Sequence, residues 1–270
     1  MITPDNELDT AEAFSRQSAV FDHIYADNAV VHYKRDRVRS HFMQYAKKNG
    51  NILELNSGTG EDAIFFAKRG FTVHATDVSA GMQERLIQKA QLLVKSEKIT
   101  TELCSFTQLH LLENKGPYDA IFSNFGGLNC TSELGTVLGQ FNKLLKPGGT
   151  VTLVIISKFC LWEFLLLFKG KFKTATRRFF SGKGRNAHIE GQYFKCWYYN
   201  PFDVIRHLHK DFDLLAVEGL CTIVPPSYIE GFAEKYPVVY NQLKKLENRL
   251  KSVTPFKYWG DYFIISLMKK

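Results

Sequence analysis

The chain has 270 residues, of which 45% are hydrophobic and 23% charged, and its formal net charge is +8 at pH 7. This composition excludes a disordered protein, and the length suffices for one large α/β domain. The five cysteines are scattered and never form a CxxC pair. They argue against a disulfide framework or structural zinc, and they predict a reducing compartment and no metal site.

The positive charge is concentrated in one segment. Residues 158–185 contain eight Lys and Arg and a single acid, Glu163, so the rest of the chain is close to neutral. The first residues, "MITPDNELDTAEAF", lack the basic and apolar regions of a secretory signal. The most apolar stretch, 150–168, is interrupted by Lys158 and Glu163. We therefore predict no transmembrane segment and a cytoplasmic location.

Strand and helix patterns alternate along the chain. Apolar runs predict strands at 51–55, 71–76, 99–103, 118–123, 149–157, 212–220 and 258–268. Helical spacing predicts helices at 20–46, 62–70, 81–96, 133–145, 201–210 and around 227–251. The alternation predicts an α/β fold with a doubly wound, mostly parallel, seven-stranded Rossmann-like sheet. Residues 158–195 break the alternation and are predicted to be a helical insertion after the fifth strand.

Residues 54–63 read "ELNSGTGEDA", a glycine-rich turn between a predicted strand and a predicted helix. The spacing of its glycines and alanine satisfies the dinucleotide fingerprint. However, Glu61 and Asp62 follow in the first helical turn, where they would repel a pyrophosphate. Glu54 adds a third carboxylate. A cationic ligand without phosphate, such as S-adenosylmethionine, therefore fits this turn better than a dinucleotide.

Four motifs follow one another along the chain: "ILELNSGTG", "ATDVSAGM", "YDAIFSNFGGLN" and "LLKPGG". They resemble the successive motifs of class I S-adenosylmethionine-dependent methyltransferases, over roughly residues 20–157 and more loosely at the C-terminus. The resemblance implies a single methyltransferase domain, 1–270. Its parts are an N-terminal helical flap (20–48), a cofactor-binding half (49–157), a lid insertion (158–195) and C-terminal strands and helices of the same sheet (196–270).

The resemblance also implies how S-adenosylmethionine would be bound. The methionine end would meet the first glycine turn, through Glu54, Asn56, Ser57, Gly58 and Gly60. The ribose hydroxyls would donate to Asp77. The adenine would be bordered by Val78, Met82, Ser105 and Phe106. The floor near the sulfonium would consist of Asn124, Phe125 and Gly126. Two positions depart from the pattern, since the family usually has glycine in place of Asn56 and often an acid in place of Ser105.

Other interpretations of these residues remain open. Asp77 can equally be a capping acid of the following helix, and Glu54 a solvated charge at a strand end. Met82 and Phe106 are typical core residues as well as typical adenine neighbours. Each of these interpretations predicts a position in the fold that the structure can test.

The predicted N-terminal helices offer a further candidate contact. Tyr25, together with Tyr33 and Arg37, either covers the cofactor and pairs with its carboxylate or packs within a surface helix. Of the histidines, His188 in the insertion is the strongest candidate for a general base, but no partner for it is visible in the sequence. We therefore assign no catalytic residue.

The function predicted from these features is methyl transfer to a small acceptor that is hydrophobic or aromatic and can carry an acidic group. The loop "SNFGGLN" lacks the Asn/Asp-Pro-Pro-aromatic signature of many enzymes that methylate base or amide nitrogens, so a nucleic-acid substrate is not expected. Two alternatives stay open. One is an RNA or protein methyltransferase that uses the basic insertion. The other is a non-catalytic module that binds the cofactor, or a nicotinamide enzyme that shares the glycine pattern.

The insertion interleaves large apolar residues with Lys and Arg. Trp162, Phe164, Leu165, Phe168 and Phe172 recur at spacings that place most of them on one helical face. Such a stripe is expected to be buried against the sheet edge, a ligand or a membrane surface. We predict a lid that shapes the acceptor pocket, with a solvated basic face on a packing helix as the alternative.

Overall fold

The structure, a computed structural model, describes residues 5–270, except for the side chains of Asp5, Tyr25 and Ser96. Its centre is a seven-stranded sheet in the order β3-β2-β1-β4-β5-β9-β8. These strands are β1 (Asn51–Leu55), β2 (Thr72–Asp77), β3 (Ile99–Leu103), β4 (Tyr118–Ser123), β5 (Leu145–Ile156), β8 (Phe212–Leu220) and β9 (Tyr262–Lys269). Only β9 runs antiparallel to its neighbours. The predicted α/β fold with a mostly parallel seven-stranded sheet is confirmed.

Helices cover both faces of the sheet. They are α1 (Asp5–Gln17), α2 (Phe21–Ala26), α3 (Ala29–Tyr45), α4 (Glu61–Ala67), α5 (Ala80–Leu93), α6 (Leu134–Gly139), α7 (Phe141–Leu144), α8 (Leu161–Phe164), α9 (Phe172–Thr176), α10 (Pro201–Leu208), α11 (Phe232–Lys235) and α12 (Pro237–Leu250). The single helix predicted at 20–46 is in fact two, because the Asn28 side chain accepts from the N–H groups of Val30 and Val31 and begins α3 there. The sequence did not predict α1.

Two apolar clusters hold the helices to the sheet. One lies under α6, α7 and α10 and includes the fully buried Leu53, Ile121 and Phe141. The other joins α3 and α4 to the opposite face through aromatic rings, with the centroids of Phe42 and Phe66 4.6 Å apart. Burying both faces explains why the strand sequences are continuous apolar runs rather than alternating ones.

The carboxyl ends of β1 and β2 are followed at once by helices, and local chemistry sets both starts. Gly60, at the N-cap of α4, has φ +81, and a Cβ there would collide with Leu86. Ser79 caps α5, because its hydroxyl accepts from the N–H of Met82 at 3.2 Å. Both helix N-termini therefore begin at the same edge of the sheet.

The insertion between β5 and α10 differs from the prediction. It consists of α8, a 3-10 turn (Leu165–Lys169), α9 and a hairpin of β6 (Arg185–Ile189) and β7 (Gln192–Cys196). Gly170, with φ +70, ends the 3-10 turn, so no continuous helix forms. Of the three predicted partners of the apolar stripe, the sheet edge is wrong for Phe168 and Phe172, which are 83% and 66% exposed. Among the helices that the structure describes, none is long and apolar enough to cross a membrane.

Candidate active site

A cavity of about 330 Å³ lies at the carboxyl ends of β1, β2, β3 and β4. Its volume is within the range of small-molecule sites, and its position is where ligands bind in doubly wound sheets. Loops after these four strands form one side of it. The opposite side is formed by residues of α1 and α3, with Ile189, Ser227 and Tyr262 completing the wall.

Eleven of the fourteen residues predicted for the cofactor line this cavity, namely Glu54, Asn56, Ser57, Gly58, Asp77, Val78, Met82, Ser105, Phe106, Asn124 and Phe125. Gly60 and Gly126 do not line it; a Cβ on Gly60 would collide with Leu86, and one on Gly126 with Ile156. Gly127 lines the cavity in place of Gly126. The side chain of Tyr25 lies outside the described residues.

The turn after β1 is held by the residue that replaces a glycine. Asn56 has φ +46, the left-handed conformation that glycine adopts most readily. Its side chain donates to the carbonyl of Asn124 at 2.9 Å and accepts from the hydroxyl of Ser123 at 2.6 Å. Asparagine tolerates this conformation and ties the β1 turn to the end of β4. A Cβ on Gly127 would collide with this Asn56 side chain.

Asp77 ends β2 with both carboxylate oxygens on backbone donors. Oδ2 accepts from the N–H of Gly58 at 2.8 Å, and Oδ1 accepts from the N–H of Ser79 at 2.9 Å. Burial raises the pKa of Asp77, while these backbone donors act in the opposite direction. Each oxygen has a second lone pair, so Asp77 can bind the two turns together and still accept from a ligand in the cavity.

Glu54 is a buried carboxyl group facing the cavity. The residue is only 3% exposed, and among the described residues its Oε2 has no hydrogen-bond partner. Burial, followed by the charge of Asp62, raises the pKa of Glu54 well above its ordinary value. The alternative of a solvated strand-end charge is therefore wrong. An unpartnered buried carboxyl is costly unless a ligand donates to it.

The acids of the first α4 turn are already paired. Asp62 accepts from Arg39 Nε at 2.6 Å and from Asn124 Nδ2 at 2.7 Å. Glu61 lies 2.5 Å from Lys89 Nζ. Because cations compensate both carboxylates, the case for a cationic ligand depends mainly on Glu54.

The side chains of α3 that face the cavity are not the ones predicted. Tyr33 donates to Glu247 at 3.0 Å and Arg37 donates to Glu218 at 2.8 Å, on the side of α3 that packs against α12 and β8. A contact between these two residues and the cofactor is therefore wrong, and the packing alternative is right. The sequence contained one signal of this shared packing, because a spacing of four residues places Tyr33 and Arg37 on the same face of a helix.

Lys34 and Arg35, which follow Tyr33 directly on α3, line the cavity instead. Lys34 is 3% exposed, donates to the Ser227 hydroxyl at 3.1 Å, and lies 4.7 Å from the centroid of the Tyr262 ring. Arg35 lies 5.2 Å from the Phe125 centroid, and its buried Nε has no hydrogen-bond partner among the described residues. Its Nη1 is paired with Glu61 Oε2 at 3.4 Å, so the free donor is the Nε atom alone. The cavity wall thus contains one buried donor atom and one buried acceptor atom, Glu54 Oε2, without partners among the described residues.

Helix α1 supplies a carboxylate that the sequence did not predict. Glu7 is buried, accepts from Thr107 Oγ1 at 2.8 Å and is hydrogen-bonded to the Ser105 hydroxyl. Thr10 and Phe14, further along α1, also line the cavity. The resembled family often has an acid where this chain has Ser105. In this chain the acid at that place is Glu7, which lies about one hundred residues earlier in the sequence.

None of the histidines considered as a base lines the cavity. His188 is exposed on β6, where its ring centroid lies 4.5 Å from that of Tyr193. His41, which is part of α3, is buried with its Nε2 2.9 Å from the Ser266 hydroxyl. Within the described lining no histidine is present at all.

Comparison with known proteins agrees with this geometry. Residues 52–149 match a family model described as a methyltransferase domain. A similar solved structure is the 1,6-didemethyltoxoflavin-N1-methyltransferase of Burkholderia thailandensis, at 14% identity and a TM-score of 0.58, over 100% of this chain and 92% of that one. Another is the magnesium protoporphyrin IX methyltransferase of Synechocystis, at 14% identity and a TM-score of 0.59, over 98% and 100%. No curated protein matches the chain in sequence.

The fold is the Rossmann-like fold of these solved methyltransferases. The fold by itself does not specify the reaction, because the cyclase SpnF is similar too, at 15% identity and a TM-score of 0.62 over 100% of this chain and 97% of that one. What points to methyl transfer is the match of residues 52–149 to a methyltransferase domain. Both methyltransferases named above were solved with S-adenosylhomocysteine bound.

Proposed function

We propose that this methyltransferase acts on a small, hydrophobic or aromatic acceptor that carries an anionic group. The observation that carries the proposal is a pair of buried atoms without partners, Glu54 Oε2 and Arg35 Nε, in one cavity. The methionine moiety of the cofactor has an ammonium and a carboxylate. Glu54 would accept from the ammonium and Arg35 would donate to the carboxylate, so that both buried groups are satisfied.

The remaining contacts follow the strand ends. Asp77 would accept from the ribose hydroxyls with its free lone pairs. Val78, Met82 and Phe106 would border the adenine, and Glu7 with Ser105 would meet its polar edge. The floor near the sulfonium would be formed by Asn124 and Phe125 on one side of the cavity.

When bound, the cofactor supplies a methyl group activated by the adjacent sulfonium. The contribution of the chain is to hold the acceptor in line with that methyl group and to exclude water, and alignment of this kind can supply about 7–11 kcal/mol. A base is needed only where the attacking atom is protonated. Since no histidine lines the described cavity, we propose an acceptor that is already deprotonated or neutral with a free lone pair.

The acceptor class is inferred from the part of the cavity that the methionine contacts leave unused. Phe14, Val31, Ile189 and Tyr262 supply apolar side chains to the cavity wall. Lys34 is the cation there, held at Ser227 and above the Tyr262 ring. An apolar pocket with one buried ammonium suits a hydrophobic or aromatic acid, whose carboxylate or phosphate pairs with Lys34.

The cofactor part of the proposal is tested by thermal melting. At about 100 times its dissociation constant, S-adenosylhomocysteine should stabilise the fold by about 2.7 kcal/mol, a melting shift of about 5–10 °C for a chain of this size. NAD and NADP should give no shift. Asp77→Ala should weaken binding at least tenfold if charged hydrogen bonds to the ribose are lost.

The acceptor part is tested with Lys34→Gln, using Lys95→Gln at an exposed site as the matched control. With a panel of aromatic and aliphatic acids, Lys34→Gln should raise KM for the methylated acid at least tenfold while the cofactor Kd stays unchanged. If neutral analogues are methylated as efficiently as the acids, the anionic requirement is wrong. If RNA in a cell extract is the labelled product, the small-molecule reading is wrong.

A further inference from the structure

The insertion presents a solvent-exposed apolar surface that the active site does not use. Phe168, Phe172 and Phe180 are 83%, 66% and 74% exposed, and Leu165 and Phe179 are exposed beside them in the chain. None of these five residues lines the cavity. We call them the phenylalanine surface. Exposed large apolar groups clustered in one short segment mark an interaction site rather than random surface composition.

This exposure is not the result of a poorly anchored segment. Arg178 is 4% exposed and donates to Glu163 at 2.7 Å, to Asp261 at 2.6 Å and to the Ser157 carbonyl at 2.9 Å. Arg177 adds a second ion pair to Glu163 at 2.6 Å. The cluster fastens the inner side of the insertion to the ends of β5 and β9. The segment that carries the phenylalanine surface is therefore fastened to the sheet through Arg177 and Arg178.

The same segment carries uncompensated positive charge. Five exposed cations lie among or just after the residues of the phenylalanine surface in the sequence, and we call them the basic rim: Lys169, Lys171, Lys173, Lys183 and Arg185. The ion pairs that the structure describes within 158–185 involve only Arg177 and Arg178. The only acid of that stretch, Glu163, is buried with them. Nothing in this segment neutralises the basic rim.

We propose that the phenylalanine surface and the basic rim dock this protein onto an anionic lipid bilayer. Lysines near a membrane are attracted by acidic headgroups, and phenylalanines enter the boundary between headgroups and acyl chains. Lysine stems can lie along the apolar surface while their ammonium groups reach the headgroups. The structure describes no membrane-spanning helix, and a peripheral contact of this kind needs none.

Charge alone would fit RNA equally well, and the apolar residues decide between the two. Bases stack on aromatic rings and on guanidinium planes. Leu165 offers an aliphatic surface on which a base does not stack, and Leu166 and Leu167 continue it at intermediate exposure. An aliphatic and phenylalanine surface is better matched by acyl chains than by nucleotides.

Docking would also place the cavity close to the membrane. Asp261, which binds Arg178, directly precedes Tyr262, and Tyr262 lines the cavity. The proposal does not depend on the acceptor class proposed above, because binding to lipid is measured without any methyl transfer.

The test is co-sedimentation with vesicles of phosphatidylcholine alone and of phosphatidylcholine mixed with phosphatidylglycerol. The apolar variant is Phe168→Ser, Phe172→Ser and Phe180→Ser, with Leu92→Ser and Leu93→Ser on α5 as its exposed apolar control. The charge variant is Lys169→Glu, Lys171→Glu and Lys173→Glu, with Lys95→Glu, Lys115→Glu and Lys210→Glu as its exposed control. All variants should retain the melting shift with S-adenosylhomocysteine, which shows that they fold.

The unmodified chain should bind the anionic vesicles at least tenfold more tightly than the neutral ones, and added salt should weaken that binding. Both test variants should bind the anionic vesicles at least tenfold more weakly than the unmodified chain, and both controls should bind them as tightly as it does. Equal affinity for the two vesicle types would overturn the proposal. An apolar variant that binds the vesicles normally would also overturn it. The same holds if the charge variant loses affinity for RNA while the apolar variant keeps its affinity for both RNA and vesicles.

Discussion

At the scale of single residues, Glu54 gives a pH dependence with a definite sign. Its pKa is raised in the free protein, first by burial and then by Asp62. An ammonium bound beside it would favour the ionised form, so binding would release a proton. Affinity for S-adenosylhomocysteine should therefore increase with pH until the free carboxyl is ionised, and remain constant above that point. Calorimetry in buffers of different ionisation enthalpy measures the released proton.

The variant for this prediction is Glu54→Gln, which keeps the size of the side chain. It should bind more weakly, and its affinity should vary much less with pH. Glu97→Gln, at an exposed residue, is the control. If the slopes of Glu54→Gln and the unmodified chain coincide, another group is responsible for the proton.

At the scale of elements, α1 is predicted to take part in cofactor selectivity through Glu7. A charged hydrogen bond of this kind is worth about 1.5–3 kcal/mol, so Glu7→Ala should raise the Kd of S-adenosylhomocysteine about tenfold. An inosine analogue, which lacks the adenine amino group, should bind the unmodified chain poorly and Glu7→Ala with little further loss. Glu12→Ala, exposed on the same helix, is the control. Equal losses for both ligands would mean that Glu7 only fastens α1 to Thr107.

The turn between β1 and α4 makes a second prediction at this scale. Gly127→Ala should destabilise the fold by about 1–3 kcal/mol, because its Cβ would overlap the Asn56 side chain. Asn56→Gly removes that side chain and suits φ +46. The double variant should therefore recover part of the loss. Urea unfolding of the four proteins gives the coupling energy, and additive losses would contradict the predicted contact.

The parts of the structure that the sequence predicted are those set by local pattern. Each strand and helix of the β1–β4 half has its own apolar period. Glu54 and Asp77 can be predicted at the cavity because they lie at the ends of β1 and β2. Helix α1 was not predicted, because it is held by distant partners such as Ser105. The apolar spacing predicts one continuous helical face, and it misses the break at Gly170 because that break depends on a backbone angle that composition does not reveal.

At the scale of the whole molecule, the buried charges under α3 should make the fold sensitive to acid. Burial alone would raise the pKa of Glu218, but His41, Arg37 and Lys251, at 3.1, 2.8 and 3.3 Å, lower it to about 2. The unfolded value is near 4.5. The pair interactions thus contribute about 3 kcal/mol above pH 4.5, and this contribution is lost as the pH falls toward 2.

Urea unfolding between pH 7 and pH 3 checks this effect. Glu218→Gln should be less stable than the unmodified chain at pH 7, and the difference should shrink below about pH 4.5. Asp213→Asn, at a side chain that is 62% exposed on the same strand, should differ little at any pH. A difference for Glu218→Gln that is constant with pH would show that packing, not ionisation, is responsible.

The position of β9 has a consequence for synthesis on the ribosome. This strand is the last one in the chain, yet it lies between β5 and β8 and pairs with both along most of its length. Until Tyr262–Lys269 has emerged from the exit tunnel, β5 has an open edge and β8 has no partner strand, and open edges pair readily with other chains. The nascent protein is therefore exposed to aggregation until translation of this strand is finished, and chaperones would act on it during that interval.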